Sequence, residues 1–301
     1  MVCLLNTNYI KILMNPINLV GFASGVAAND SHTALGPQYL FEHRDIFNQV
    51  GLEPNWQFME YLQSTQHGLD VIWDLGKSFH KLSKDILSLL EQPSPFAVIG
   101  GDHSMAMATW HTVMDYYRSS GPVGLLWIDA HMDSNTPVSS LTKNIHGMPL
   151  SHLLGLWHNR QIDNELPQAL LQPKHLALIG IRSYEQAELD YLKHLGVRIY
   201  FIEEVEERGL DRVLSEAFDT IYQHTGNVGI SIDLDAFDPS FCPGVGCHEK
   251  NGLNLNAFIQ FFKHFYFKQW SCVEIAEFNP VRDQNDKTAR SIAQLIDSLY
   301  F

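Results

Sequence analysis

The stretch VGLLWIDAHMD, Val123–Asp133, changes character at Ile128. Val123–Asp129 reads as a strand buried on both faces, its apolar part ending at Ile128. The last five residues of the stretch carry Asp129, His131 and Asp133 at i, i+2 and i+4. Alternate side chains of extended chain point the same way, so all three can face one point. The arrangement recurs along the sequence. Phe96–Gly100 runs into Gly101-Asp102-His103-Ser104, Gly229–Ile232 into Asp233-Leu234-Asp235, and Val273–Ala276 into Glu277.

Working outward, His175–Ile181 and Val197–Ile202 read as further buried strands, and Ile17–Phe22 as the first. Amphipathic stretches separate them: Gly76–Leu90, Met105–Tyr117, Gln186–Leu195, Leu210–His224 and Thr288–Leu299. Strands alternating with helices predict an α/β fold, a three-layer α-β-α domain around a mostly parallel central sheet. The 301 residues, 45% hydrophobic and 18% charged, show no linker, repeat or low-complexity tract. One domain over residues 15–301 is expected, with residues 1–14 as an extension. Ligands of such sheets bind beyond the carboxyl ends of the strands, which is where the polar clusters fall.

The formal charge of −14 disfavours nucleic acid and anionic membranes and favours small cationic molecules. The cysteines, Cys3, Cys242, Cys247 and Cys272, show no disulfide spacing, which fits a reducing compartment. Cys242 with Cys247-His248 lacks the four ligands of a structural zinc site. No apolar run is long enough to span a bilayer, and Met1–Leu13 lacks the pattern of a secretory signal. A cytoplasmic protein is expected.

Asp129, Asp133, Asp233 and Asp235 with His103 and His131 make four carboxylates and two imidazoles. Without counter-charge, such carboxylates repel and hold protons. Six ligands are too many for one open metal but suit two that share carboxylates. Oxygen and imidazole donors without thiolate point to manganese. Two such ions, roughly 3.5–4 Å apart, can activate water.

At these residues the sequence resembles the ureohydrolase family of arginases, agmatinases and formiminoglutamases. The motifs are Gly100–Ser104 (GGDHS), Asp129–Pro149 (DAHMDSNTPVSSLTKNIHGMP), Ser231–Phe241 (SIDLDAFDPSF) and, more weakly, Glu274–Pro280 (EIAEFNP). The resemblance runs from about residue 15 onward and is closest to arginase. It implies a single α/β domain with two Mn2+ per subunit. One ion would be held by His103, Asp129, Asp133 and Asp233, the other by Asp129, His131, Asp233 and Asp235. A hydroxide bridging the ions would attack a guanidinium carbon, converting L-arginine to L-ornithine and urea. Asp133, His146 and Glu277 are the candidate catalytic residues: Glu277 would pair with the guanidinium, and His146 would pass a proton to the leaving amine. Asn135, Ser140 and Thr142 fall where the family grips the substrate α-carboxylate, and Asn144 adjoins them. The resemblance also implies a homo-oligomer, commonly a trimer or hexamer.

The sequence departs from the family at three places. Glu185 stands where arginases carry an Asp for the substrate α-amino group. Cys247-His248 replaces Thr-Pro, and Lys143 replaces a small residue. These bear on which guanidino or formimino compound is taken: L-arginine, a guanidino acid, agmatine or formiminoglutamate. A non-catalytic metal-binding relative would not need Glu277 and His146. A two-metal phosphoesterase would need a basic cluster that is not seen.

Overall fold

The structure, a computed structural model, describes residues 14–301; residues 1–13, most of the expected N-terminal extension, lie outside the described residues. Eight strands form one sheet: β1 (Asn15–Ala23), β2 (Leu52–Tyr61), β3 (Phe96–Gly100), β4 (Val123–Ile128), β5 (Leu176–Ile181), β6 (Arg198–Phe201), β7 (Asn227–Asp233) and β8 (Val273–Ala276). Their order is β2-β1-β3-β8-β7-β4-β5-β6, and every pairing is parallel. The expected sheet was mostly parallel; the observed one is wholly so.

Alternation along each strand feeds two cores. Leu19, Ile99, Leu126 and Ile128 pack on one face, and Phe22, Val98, Leu125 and Trp127 on the other. Each fully buried side chain of this size contributes roughly 1.5–3 kcal/mol. Helices cover both faces. Gln186–Leu195 matches the sequence expectation, while Ile72–Leu90, Ala106–Tyr116, Leu210–Thr225 and Lys287–Tyr300 differ from it at their ends. The helices Leu35–Glu42, Ile202–Arg208 and Leu255–His264 were not expected. Nor was β2, an edge strand that contains Pro54 and exposes much of its length, so it has no apolar run to read.

The strand order positions the site. β3 and β4 are consecutive in the chain, yet they do not pair; β8 and β7 lie between them. The four strands that end in polar clusters are therefore four adjacent strands at the centre of the sheet. At the end of β3 the chain passes so close to the loop after β1 that a Cβ on Gly101 would lie 1.8 Å from the Ser24 carbonyl oxygen. Only glycine fits there.

Candidate metal centre

Three strand ends use the same local turn. Each begins with an aspartate whose carboxylate accepts the backbone N–H two residues on: Asp102 from Ser104 (3.1 Å), Asp129 from His131 (2.7 Å) and Asp233 from Asp235 (2.9 Å). At the first of these, Asp102 caps the short helix that follows. Asp129 also accepts from Trp127 Nε1 at 2.8 Å, and Asp235 from the Ala130 N–H at 3.3 Å. The carboxylates are thus aimed by backbone and indole donors and are almost completely buried.

His103 is fully buried, and its ring stacks on Trp127 with centroids 4.2 Å apart. Its Nε2 lies 2.9 Å from Ser231 Oγ, whose hydroxyl donates to buried Glu274 at 2.6 Å. Trp110 Nε1 donates to the same Glu274 oxygen at 3.0 Å. With the serine proton directed at Glu274, His103 Nε2 is the donor, which leaves Nδ1 with a lone pair. That Nδ1 has no hydrogen-bond partner. It faces Asp129 (3.4 Å), Asp133 (3.2 Å) and Asp233 (3.4 Å). Alongside it, His131 Nδ1 lies 3.1 Å from Asp235 and 3.5 Å from Asp129.

Converging lone pairs of this kind call for a cation. Three groups of side chains have ligand spacing: His103–Asp129–Asp233 and Asp129–His131–Asp235, which share Asp129, and at the rim His131–Cys247–Glu249. The residues present therefore fit a pair of divalent ions with Asp129 between them. The protonation behaviour agrees. Burial pushes the Asp133 carboxyl up to about 6, with Asp129 adding to the effect. Burial, then Asp235 and Asp129, push Asp233 well above the carboxylate range. Burial also opposes charge on His103 and His131, but the carboxylates around them outweigh it and hold both well above the usual imidazole value. Buried carboxylates this close together raise one another's affinity for positive charge, which protons or metal ions can supply.

Above this floor lies a cavity of about 370 Å³. Its lining includes His131, Asp133, Asp233, Asp235, His146 and Glu277, and every expected substrate contact: Asn135, Ser140, Thr142, Asn144, Glu185 and Cys247. His103 and Asp129 lie beneath. Glu277, at φ +69°, and Asp133, at φ +46°, both adopt left-handed backbone, which non-glycine residues occupy rarely and mostly at functional positions. Glu277 accepts from the His103 N–H at 3.0 Å and lies 3.0 Å from His146 Nδ1. Burial opposes charge on His146, but the bond to Glu277 raises it to about 9. Arg282 does not pair with Glu277; it pairs with Asp30 at 2.7 Å.

The rim is built from loops. Asn135 donates through its amide to Glu185 and accepts from Ser139 Oγ at 2.9 Å. Ser140 Oγ accepts the Lys143 N–H at 2.9 Å, and Thr142 Oγ1 the Asn144 N–H at 3.2 Å. Their hydroxyl protons remain free for an anion. Lys143 sits at φ +63°, which accounts for the small residue usual there, and its ammonium closes the loop on the Pro137 carbonyl at 2.9 Å. Glu185 caps the helix Gln186–Leu195 in a reciprocal box with Glu188. Sequence reading missed Glu188 and the Ala28–Asp30 wall, which also line the cavity. Glu188 accepts the Ser134 N–H at 3.0 Å, and burial raises its carboxyl to about 8. The Glu-x-x-Glu spacing was the available signal for it. Cys247 lies within ligand distance of His131 and Glu249. Cys242 is buried in the core, and His248 Nε2 lies 2.6 Å from the Pro243 carbonyl.

The chain is similar to known proteins over nearly its whole length. An arginase from Bacillus caldovelox is 37% identical over 95% of this chain and 98% of its own length. The crystal structure of an arginase from Bacillus subtilis superposes with a TM-score of 0.82 at 26% identity, over 95% of this chain and 98% of that one. A formimidoylglutamase from Bacillus subtilis shares the fold, with a TM-score of 0.75 at 21% identity, over 95% of this chain and 86% of that one. The profile described as "Arginase family" matches residues 15–301, and the chain belongs to the arginase family.

Proposed function

We propose that the protein hydrolyses L-arginine to L-ornithine and urea at a binuclear manganese centre. The observation that carries this reading is the shared-Asp129 ligand cluster lying directly beneath Glu277 and His146 in one cavity. His103, Asp129, Asp133 and Asp233 would hold one ion, and Asp129, His131, Asp233 and Asp235 the other. When bound, the ions supply Lewis acidity that neutralises the carboxylates and acidifies water. Oxygen and imidazole donors favour manganese among the candidates.

The remaining roles belong to the chain itself. Glu277 is a buried carboxylate facing the cavity, matched in charge and hydrogen bonding to a planar guanidinium. Water adds to the guanidinium carbon, the bond from that carbon to the alkyl-bearing nitrogen breaks, and the departing amine takes up a proton. His146, protonated beside Glu277, is placed to donate it. Asn135, Ser140, Thr142 and Asn144 offer neutral donors to an α-carboxylate, and Glu185 offers a charge to an α-amino group. We place the catalytic unit at residues 15–301, in a cytoplasmic homo-oligomer, trimer or hexamer. Among the described residues no helix is long and apolar enough to cross a membrane.

One observation favours a second substrate. Glu185 already accepts from Asn135 and caps its helix, so a guanidino acid without an α-amino group would leave those bonds intact. Urea release by manganese-loaded protein, compared across L-arginine, agmatine and 4-guanidinobutyrate, separates the readings. Preference for L-arginine is expected. Manganese-dependent preference for 4-guanidinobutyrate would transfer the assignment to the second substrate.

A further inference from the structure

Arg182, just past the end of β5, directs its whole guanidinium at backbone carbonyls. Nε donates to Lys250 O at 2.9 Å; Nη1 donates to Gly180 O at 3.1 Å and Ala236 O at 3.2 Å; Nη2 donates to Asp235 O at 2.6 Å and Glu249 O at 3.0 Å. All five N–H donors of the group are engaged. The clamp ties the Glu249-Lys250 segment of the rim to the backbone of the ligand Asp235.

Held in this way, Glu249 reaches the outer edge of the His131 ring. Its Oε1 lies 3.6 Å from His131 Nε2, within ion-pair range, while Nδ1 on the other side faces Asp235 and Asp129. The two nitrogens of His131 are thereby divided between the rim and the floor. His103 shows the same division, with Ser231 and Glu274 behind its Nε2.

We propose that Glu249 is a positioning residue for the metal ligand His131. Its carboxylate, in ion-pair range of Nε2, favours the tautomer with the proton on Nε2 and the lone pair on Nδ1, and biases the rotation of the ring toward the second ion. Carboxylates behind histidine ligands commonly do this, and removing one weakens metal binding about 10–100-fold. The inference rests on the reading of His131 as a ligand. It also predicts an asymmetry: the support of His103 is fully buried, whereas the His131 and Glu249 side chains are 26% and 30% exposed. The ion near His131 is the one whose affinity depends on the rim.

The test is a Mn2+ titration of metal-stripped protein, read by calorimetry and by the electron paramagnetic resonance signal of a spin-coupled pair. Wild type binds two ions with coupling. Glu249→Gln is expected to weaken one ion about tenfold, and Glu249→Leu about 10–100-fold. The other ion stays, the coupled signal gives way to that of a single Mn2+, and the Tm of the stripped protein is unchanged. Unchanged affinity for both ions in both variants would overturn the proposal. So would equal weakening of both ions with a lowered Tm, which marks a purely structural loop. Failure of wild type to bind two ions would instead overturn the binuclear reading itself.

Discussion

The floor of the cavity and its rim are held together in different ways. On the floor, the aspartates are fixed by neighbours two residues along the chain, as in Asp129–His131 and Asp233–Asp235. On the rim, local bonds such as Ser140 to Lys143 are joined by ones between residues far apart in sequence: Asn135 to Glu185, Ser134 to Glu188, and His146 to Glu277. A floor built from local turns at strand ends sets its carboxylates with few neighbours, independently of the loops above. A rim of loops tied to one another can change, and its departures, Glu185 and Cys247, fall there. The difference teaches that reaction type and substrate choice are encoded in separable parts of the molecule.

Substitution can sharpen that separation. The largest effect is expected on the floor. Asp129→Asn removes the carboxylate common to both ligand groups, so at least one ion is lost. Turnover should fall by more than about 10³-fold, beyond the loss from removing a single electrostatic donor. Elemental analysis with a urea assay checks this, and retention of both ions would end the shared-carboxylate assignment. On the rim, Asn135→Ala should reduce kcat/KM for L-arginine by about 10–100-fold, the range for one hydrogen bond to a charged group, and reduce that for agmatine far less. Equal losses would remove Asn135 from carboxylate recognition.

A third test concerns the support behind the rim. His111 Nδ1 lies 2.7 Å from the Ala169 carbonyl, its Nε2 lies 2.9 Å from His152 Nδ1, and His152 Nε2 lies 2.9 Å from Asp163. Burial, with His152 adding, lowers His111 to about 3. Between the ordinary histidine value of 6.5 and about 3, the unfolded chain binds this proton and the folded chain does not. Stability therefore falls as pH falls through that window, by up to about 1.4 kcal/mol per pH unit. Urea unfolding of metal-stripped protein at several pH values should show the decline, and His111→Leu should flatten it. An equal slope in the variant would assign the acid sensitivity elsewhere.

The smallest effect is expected at Glu277. Its φ of +69° suits glycine, so metal-stripped Glu277→Gly should be more stable than Glu277→Ala by about 1 kcal/mol, while both lose activity. If the alanine variant is the more stable, the backbone there is not strained.

The same contrast explains what the sequence could tell. Turns that bond two residues along leave a visible pattern, so Asp129, His131, Asp133, Asp233 and Asp235 could be picked out from spacing and from the apolar runs before them. Seven of the strands were legible because burial on both faces leaves continuous apolar runs. β2 was not, because an edge strand keeps polar residues and tolerates Pro54. The insertion of β8 and β7 between β3 and β4 was also invisible, because no local pattern records which strands become neighbours. Glu188 and the wall at Ala28–Asp30 went unnoticed for a related reason. Their partners lie across the fold, and only the motif resemblance brought forward the comparable rim residues Asn135 and Glu185.

That insertion has a consequence for how the protein is made. Before residues 227–276 are synthesised, the native pairings open to the strands already present are those of two separate half-sheets, β2-β1-β3 and β4-β5-β6. The last two strands to emerge join these halves along the line where the ligands meet. Domains fold as units, and non-local strand pairing comes late. With the proposed ligands, capture of both ions would wait for nearly the whole chain, because a product ending before β7 lacks Asp233, Asp235 and Glu277.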